Sequence, residues 1–472
     1  MNTATFERSL RRPRANGLST RRHGIAAILA MLYLVLFSTL AVGFYAATTV
    51  SIQIARNERG LEQAQAAADG GMQFIRYQLG QILIDPTIPQ SGLLDAVAVQ
   101  LGLQMNGTAN MNGHMVQNTG GTIYIPAQNG WISLDPSTGS QFRIIITQSG
   151  TSLVINATGS GSSITLKKAI QLQYQPAERA GALFDYGIAS KSPISMNGNV
   201  RVQGASNPAM GSVLVATASG SGLTLSGSPA ISGDYSYVNP SLTNSFGGGT
   251  IAGYAPGSPN FSQHVHAGVA MPLFPWIDTS VYAQYATNPY VPGSTTLANV
   301  TLPPGTYSFG NVTIQGVLYV QSPCNLTING QSKVQGVIVT DNNSTLGTLS
   351  TNVINFAGKL QATGIDTLPT TFPAAERALT GAFVIAPYYT LNMSGNFGSI
   401  DGSILASQIS MSGNAAGTIQ GSLINLADTS LSFAGNGSVT IAGTGTSNVP
   451  AGVSFGHKYT PLPGTYLEVA PK

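Results

Sequence analysis

LNMSGNFGSIDGSILASQISMSGNAAGTIQGSLINLADTSLSFAGNGSVTIAG, residues 391–443, repeats one short phrase three times. An apolar-polar-apolar triplet (Leu391-Asn392-Met393, Ile409-Ser410-Met411, Leu431-Ser432-Phe433) runs into a Gly-Asn pair. A second short segment follows and ends at Gly402, Gly421 or Gly443. The Gly-Asn pairs begin at 395, 413 and 435, steps of 18 and 22 residues. The same phrase occurs upstream as ISMNGNVRVQG (194–204), LTLSGSPAISG (223–233) and LTINGQSKVQG (326–336). Internal periods near 20 residues mean one coil of chain per repeat. Each coil stacks its inward apolar residues on the next and pairs its strands above and below. Gly and Asn provide corners at positive φ. The expected fold is therefore a parallel β-helix, or β-solenoid, with an antiparallel sandwich as the alternative. The solenoid is expected to start over 177–238 and to continue over 306–445.

Between these arms, residues 239–305 are rich in Gly, Pro, Ser and aromatics and read as an irregular excursion. Within it FPWIDTSVYAQYA (274–286) reads as a short helix capped by Asp278 or Thr279, covering one end of the coil or an edge strand. Residues 446–472 read as a tail or cap.

Upstream of the repeats the period changes. Phe142, Ile144 and Ile146 alternate with Arg143, Ile145 and Thr147, and Ile170, Leu172 and Tyr174 alternate with Gln171 and Gln173. Period-two alternation with one apolar face describes a half-buried antiparallel sheet. Its expected strands are 132–135, 141–148, 152–159 and 164–175, inside a unit spanning 86–176.

Before that unit, residues 24–55 contain no Asp, Glu, Lys, Arg or His. The apolar run 25–50 exceeds the ~20 residues that cross a bilayer, and only a helix satisfies its backbone there. Good helix formers continue over 51–85. Leu61, Ala64, Ala68, Met72, Ile75 and Leu79 form a stripe, and Asp85-Pro86 ends the pattern. The sheet's apolar face is the natural partner for that stripe. Arg8, Arg11, Arg12, Arg14, Arg21 and Arg22 precede the run, opposed by Glu7 alone. The positive-inside bias puts residues 1–24 in the cytoplasm and the body outside the inner membrane.

RRHG (21–24), the apolar run after it and AQAAADGGMQFIRYQL (64–79) together resemble the N-terminus of type IV pilin-like proteins. The likeness is to PilX-type minor pilins and K-type pseudopilins. It covers about residues 21–176, more loosely after Leu79. The resemblance implies a basic leader cut by a prepilin peptidase between Gly24 and Ile25, and a helix that packs among other pilins in a filament. It also implies a long helix lying on an antiparallel sheet. Two positions depart from the family pattern: Leu29 stands where major pilins have Glu, and Ile25 where Phe or Met is usual. The solenoid repeats resemble uncharacterised bacterial domains that often follow such N-termini.

Composition limits the chemistry. From Ile25 onward there are 14 basic and 16 acidic residues, so no basic face serves nucleic acid. Cys324, the single cysteine, allows no intrachain disulfide and no cysteine metal cluster. His264 and His266 share a strand face and are the weak metal candidates, with no carboxylate near them in sequence. Asp341, Asp366, Glu376, Asp401, Asp428 and Glu468 are scattered, with no pair at one repeat position. No nucleophile elbow, phosphate loop or Cys-His arrangement occurs. The expectation is a non-enzymatic protein without a cofactor. It would be a minor pilin or pseudopilin of a type IV pilus or type II secretion-like filament, working through other pilins, prepilin peptidase and membrane lipid. The alternative is an uncleaved, signal-anchored envelope protein whose solenoid binds cell-wall or matrix polysaccharide. The third reading is a tethered polysaccharide hydrolase or lyase, which a polar cleft with clustered carboxylates would favour.

Overall fold

The computed structural model describes residues 23–86, 88–128, 130–161, 165–178, 181–443, 445 and 449–471. The chain opens with one helix, α1 (His23–Gln81), of 59 residues, about 89 Å at 1.5 Å per residue. In its first half every residue from 25 to 48 is exposed, Met31, Leu34, Phe37, Val42 and Phe44 among them. Hydroxyls in this half bond back onto the helix, Ser38 to the Leu34 carbonyl at 2.6 Å and Ser51 to that of Ala47 at 2.9 Å. Polar groups satisfied within the segment are what a hydrocarbon surrounding demands.

The second half of α1 lies on a sheet. Ala64, Ala68, Met72, Ile75 and Leu79 of the stripe read from sequence are buried, Leu61 is half-buried, and Ala67 joins the contact face. Beyond α1 come α2 (Leu93–Met105), β1 (Gln117–Thr119), β2 (Thr122–Ile125), β3 (Ile132–Asp135), β4 (Ser140–Ser149), β5 (Ser152–Ser160) and β6 (Lys167–Glu178). All their pairings are antiparallel, in the order β1-β2-β4-β5-β6 with β3 on β4. Phe142, Ile144 and Ile146 face the core, as the alternation requires. At the centre the approach leaves no room for a side chain: a Cβ on Gly159 of β5 would stand 2.1 Å from the Ala64 carbonyl oxygen. Ala64, Ala67, Ala68 and Gly159 are small because strand backbone sits on helix backbone.

Two features extend this unit beyond the sheet expected over 86–176. α2 closes one side through Leu94, Val97, Leu101 and Met105. Those positions carry the three- and four-residue spacing of an amphipathic helix. In addition, residues 446–472, expected as a tail or cap, supply strands His457–Pro461 and Leu467–Val469, both antiparallel to β6. The Tyr459 ring completes the core under α1.

Between β6 and that return lies the β-solenoid, its strands pairing in parallel around one apolar core. Each complete coil has three faces. The first carries Ile188–Ser190, Val213–Val215 and Leu423–Asn425; the second Ile194–Gly198, Ser221–Gly227 and Leu431–Gly435; the third Arg201–Gly204, Ala230–Ile231 and Ser438–Ile441. The repeated phrase therefore spells second face, Gly corner, third face.

Chain order and stacking order differ. The coil 188–204 is first in the chain but interior in the stack. One neighbour, 213–231, follows directly; the other, 423–441, is the last to form. From 188–204 the chain builds outward to Val265–Ala267 on one side. It then crosses to the far end at Asn288–Pro289 and stacks back through Thr296–Leu302, Thr313–Val320, Gln331–Thr340, Ala382–Met393 and Ser403–Met411. At the seam, Asn199 donates its amide to Asn436 Oδ1 at 3.0 Å, across 237 residues of chain.

The expected excursion 239–305 is shorter in fact. Thr243–Ser245, Thr250–Ile251 and Val265–Ala267 continue the stack, and Thr296–Leu302 begins the second arm. Strands of two or three residues are too short to show alternation in sequence. The crossing over 268–287 covers neither an end nor an edge. It lies along the first face, where Tyr282, Leu183, Phe184, Ile365, Leu368 and Phe455 form a second apolar layer on Leu214, Val317, Ile385 and Leu405. Its helix, Ser280–Ala283, starts after Thr279, and Asp278 Oδ1 accepts from the Ser280 N–H at 3.0 Å.

Candidate functional site

The processing candidates Gly24 and Ile25 fall in the first turns of α1, with Ile25 66% exposed. Arg11, Arg12, Arg14, Arg21 and Arg22 lie outside the described residues. What α1 presents is an unbroken apolar cylinder, long and apolar enough to cross a membrane by length and composition.

His264 and His266 meet a partner that sequence spacing could not reveal. Asp234 precedes the strand Tyr235–Tyr237, on which Val265–Ala267 pairs in parallel. This register brings His264 Nδ1 to 2.7 Å from Asp234 Oδ1 and His266 Nε2 to 3.0 Å from Oδ2. An ionised carboxylate only accepts, so each ring nitrogen carries the hydrogen. Tyr254 stacks on His264 with centroids 5.2 Å apart. The carboxylate's two oxygens are taken by different rings, which makes a hydrogen-bonded clamp. No group of three or more His, Cys, Asp or Glu among the described residues is disposed to hold a metal ion. Burial raises the Asp234 pKa, but the two histidine hydrogen bonds and charges outweigh it and hold the carboxyl below its ordinary value.

The clamp fastens the terminal strand to the stack. Asp234 is 43% exposed, so solvent screening keeps its worth to about 0.5 kcal/mol. Because the folded pKa is depressed, this stability is present above the unfolded carboxylate value and is lost as pH falls through the lowered one. Asp234→Ala is therefore expected to speed amide exchange at 265–268 about twofold at pH 7. Below the carboxylate range that difference should vanish. Equal exchange in both proteins at pH 7 would show that the strand holds without the clamp.

The carboxylates are less scattered than the sequence implies. Asp366 and Asp401 converge on Gly364: a Cβ there would stand 2.4 Å from Asp366 Oδ1 and 2.9 Å from Asp401 Oδ2. Burial, then the charge of Asp366, raises the Asp401 pKa, against a lowering hydrogen bond from the Gly364 N–H. Asp401 stands in register with Gln420 of the next coil. Asp401 ends the strand Ser399–Asp401, ahead of Gly402 at φ +109°. Glu376 is fully buried; its Oε2 accepts from Asn299 Nδ2 at 3.0 Å and its Oε1 finds no partner. Burial raises its pKa, and it pins the short helix Ala374–Arg377 against the corner at Asn299 and Gly316. The buried Cys324 thiol is pushed up to about 11, by burial first and then by Asp341, so it stays protonated and inert.

The features define a class: a β-solenoid carried on a helix-and-sheet stalk, whose helix continues as a bare apolar rod. No family model matches the sequence, and no curated protein matches it. Among solved structures it is similar to the competence-associated pilin ComZ from Thermus thermophilus. That likeness has 11% identity over 87% of this chain and 96% of the other, at a TM-score of 0.25. It is also similar to a domain of an ice-binding protein from Shewanella frigidimarina, with 14% identity over 56% of this chain and 98% of that one, at a TM-score of 0.16. At these scores neither likeness bears on function.

Proposed function

We propose that this chain is a minor pilin or pseudopilin-like component of a type IV pilus or type II secretion-like filament. The carrying observation is the continuity of α1: its buried half lies on the antiparallel sheet, and the same helix runs on as an exposed apolar rod. That rod stays in the inner membrane before assembly and packs against other pilin helices after it. The N-terminus is cytoplasmic and the body outside. The solenoid is displayed for assembly, adhesion or surface contact and works by area, without catalysis.

The test is the N-terminal residue of the protein purified from its native membranes, read by mass spectrometry. A mature start at Ile25, N-methylated, is expected. An intact leader would overturn the filament reading and leave a signal-anchored envelope protein, the reading that Leu29 in place of Glu favours.

A further inference from the structure

The three solenoid faces differ in what they offer a partner. The first is sealed by the second apolar layer. On the third, Arg201, Lys333, Lys359 and Asp401 interrupt the polar surface. The second face is uncovered, and its nine strands, from Gly305–Gly310 at one end to Thr243–Ser245 at the other, contain no Asp, Glu, Lys, Arg or His.

Its large apolar side chains turn inward, as Leu326, Ile354, Leu391, Ile409 and Leu431 do, except Val353, which is half-buried in the outward register of Asn325 and Thr390. Outward, one registered row runs from Ser308 through Thr327, Asn355, Asn392, Ser410, Ser432 and Ser195 to Thr224. The side chains hold one another: Asn392 Nδ2 donates to Asn355 Oδ1 at 2.9 Å, Ser432 to Ser410 at 3.0 Å, and Thr390 to Gln408 Oε1 at 3.2 Å. Nine strands at 4.7–4.9 Å spacing make a ladder about 38 Å long.

We infer that this second face is a docking surface for a neutral polysaccharide. Nucleic acid and acidic polymers need cations, and the face has none. A membrane or an apolar protein surface needs a hydrophobic patch, which is also missing. Hydroxyls and amides both donate and accept, which is the complement of a sugar hydroxyl. A surface that repeats one rung suits a partner that repeats one unit, since each further unit binds at the effective concentration set by the last. The mutual hydrogen bonds fix the side chains beforehand and reduce the entropy lost on binding. This inference names a ligand class for the display role proposed above and needs only that the solenoid be outside the cell.

The full-length chain in detergent, with its leader in either state, is sedimented with microcrystalline cellulose and with chitin. Co-sedimentation with at least one is expected, unchanged in about 0.5 M NaCl, where the screening length is about 4 Å. Asn325→Lys with Asn197→Lys, at two exposed positions of this face, should weaken binding at least tenfold. Gln420→Lys on the third face should not change it, and all variants should keep the wild-type melting profile. Three results would overturn the inference: no binding to either polymer, loss of binding in salt, or equal binding by the face variant and the control. None of them touches the leader, so the filament reading stands or falls separately.

Discussion

Gly435→Ala is expected to destabilise the solenoid by about 3 kcal/mol, against about 1 kcal/mol for Gly220→Ala. Both glycines lie at positive φ, +99° and +84°. A left-handed conformation costs a residue with a Cβ about 1–2 kcal/mol on its own. The difference between them is space. Around Gly220 nothing lies within 4 Å of a new Cβ, whereas at Gly435 it would stand 2.3 Å from the Gly413 carbonyl oxygen. Gly198 meets Gly435 at the same distance, and Gly227 meets Gly198 at 2.7 Å, so the corner glycines form a column through the stack. Each carbonyl is the floor on which the next coil rests, and it cannot retreat without lifting that coil. The measurement is the hydrogen-exchange free energy of the strands on either side of the corner. Equal effects at the two positions would mean that the coils yield and that the column is conformational in origin only.

The column also explains what was readable beforehand. Gly-Asn pairs at steps of about one coil are visible in sequence because the corner needs positive φ at Gly413 and Gly435 and leaves no room for a Cβ at Gly395 and Gly435. The same steric demand marks the α1 contact, where Ala64, Ala67 and Ala68 meet Gly159. Coils with less regular corners escaped notice. Val353–Phe356 with Lys359–Thr363 is a full member of the stack, yet it turns at Ala357-Gly358 with no Asn. The order of coils was not legible at all. Every coil presents the same kind of apolar interior, so local pattern does not say which two coils touch. Asp234 was hidden for a related reason: it lies one coil from His264 and His266, and only the stacking register brings them together. The apolar rod of α1 was fully legible, because it depends on composition alone.

Phe433→Ala tests that hidden order. Phe433 is buried at the seam, in register with Met196 of the first coil and Met411 of the preceding one. Truncating a buried Phe costs about 3–5 kcal/mol, a large share of the stability of a stack held together by nearest-neighbour contacts. If the coil 423–441 bound only its predecessor, the damage would stay near the C-terminal end of the solenoid. Because it also closes on 188–204, amide exchange should accelerate in Ile188–Ser190 and Ile194–Gly198 as strongly as in Leu423–Asn425. Phe309→Ala is the control. It sits near one end of the stack, on Gly305–Gly310, whose parallel partner among the described residues is Cys324–Asn329. Its effect should be confined to those coils. The same comparison bears on folding: the first coil is made early but lacks one neighbour until nearly the whole chain is present. A contact of that sequence separation closes late, since loop-closure entropy must be met before the contact forms. Protection that survives in 188–204 when Phe433 is truncated would show that the first arm stands alone and that the seam is a docking of two finished stacks.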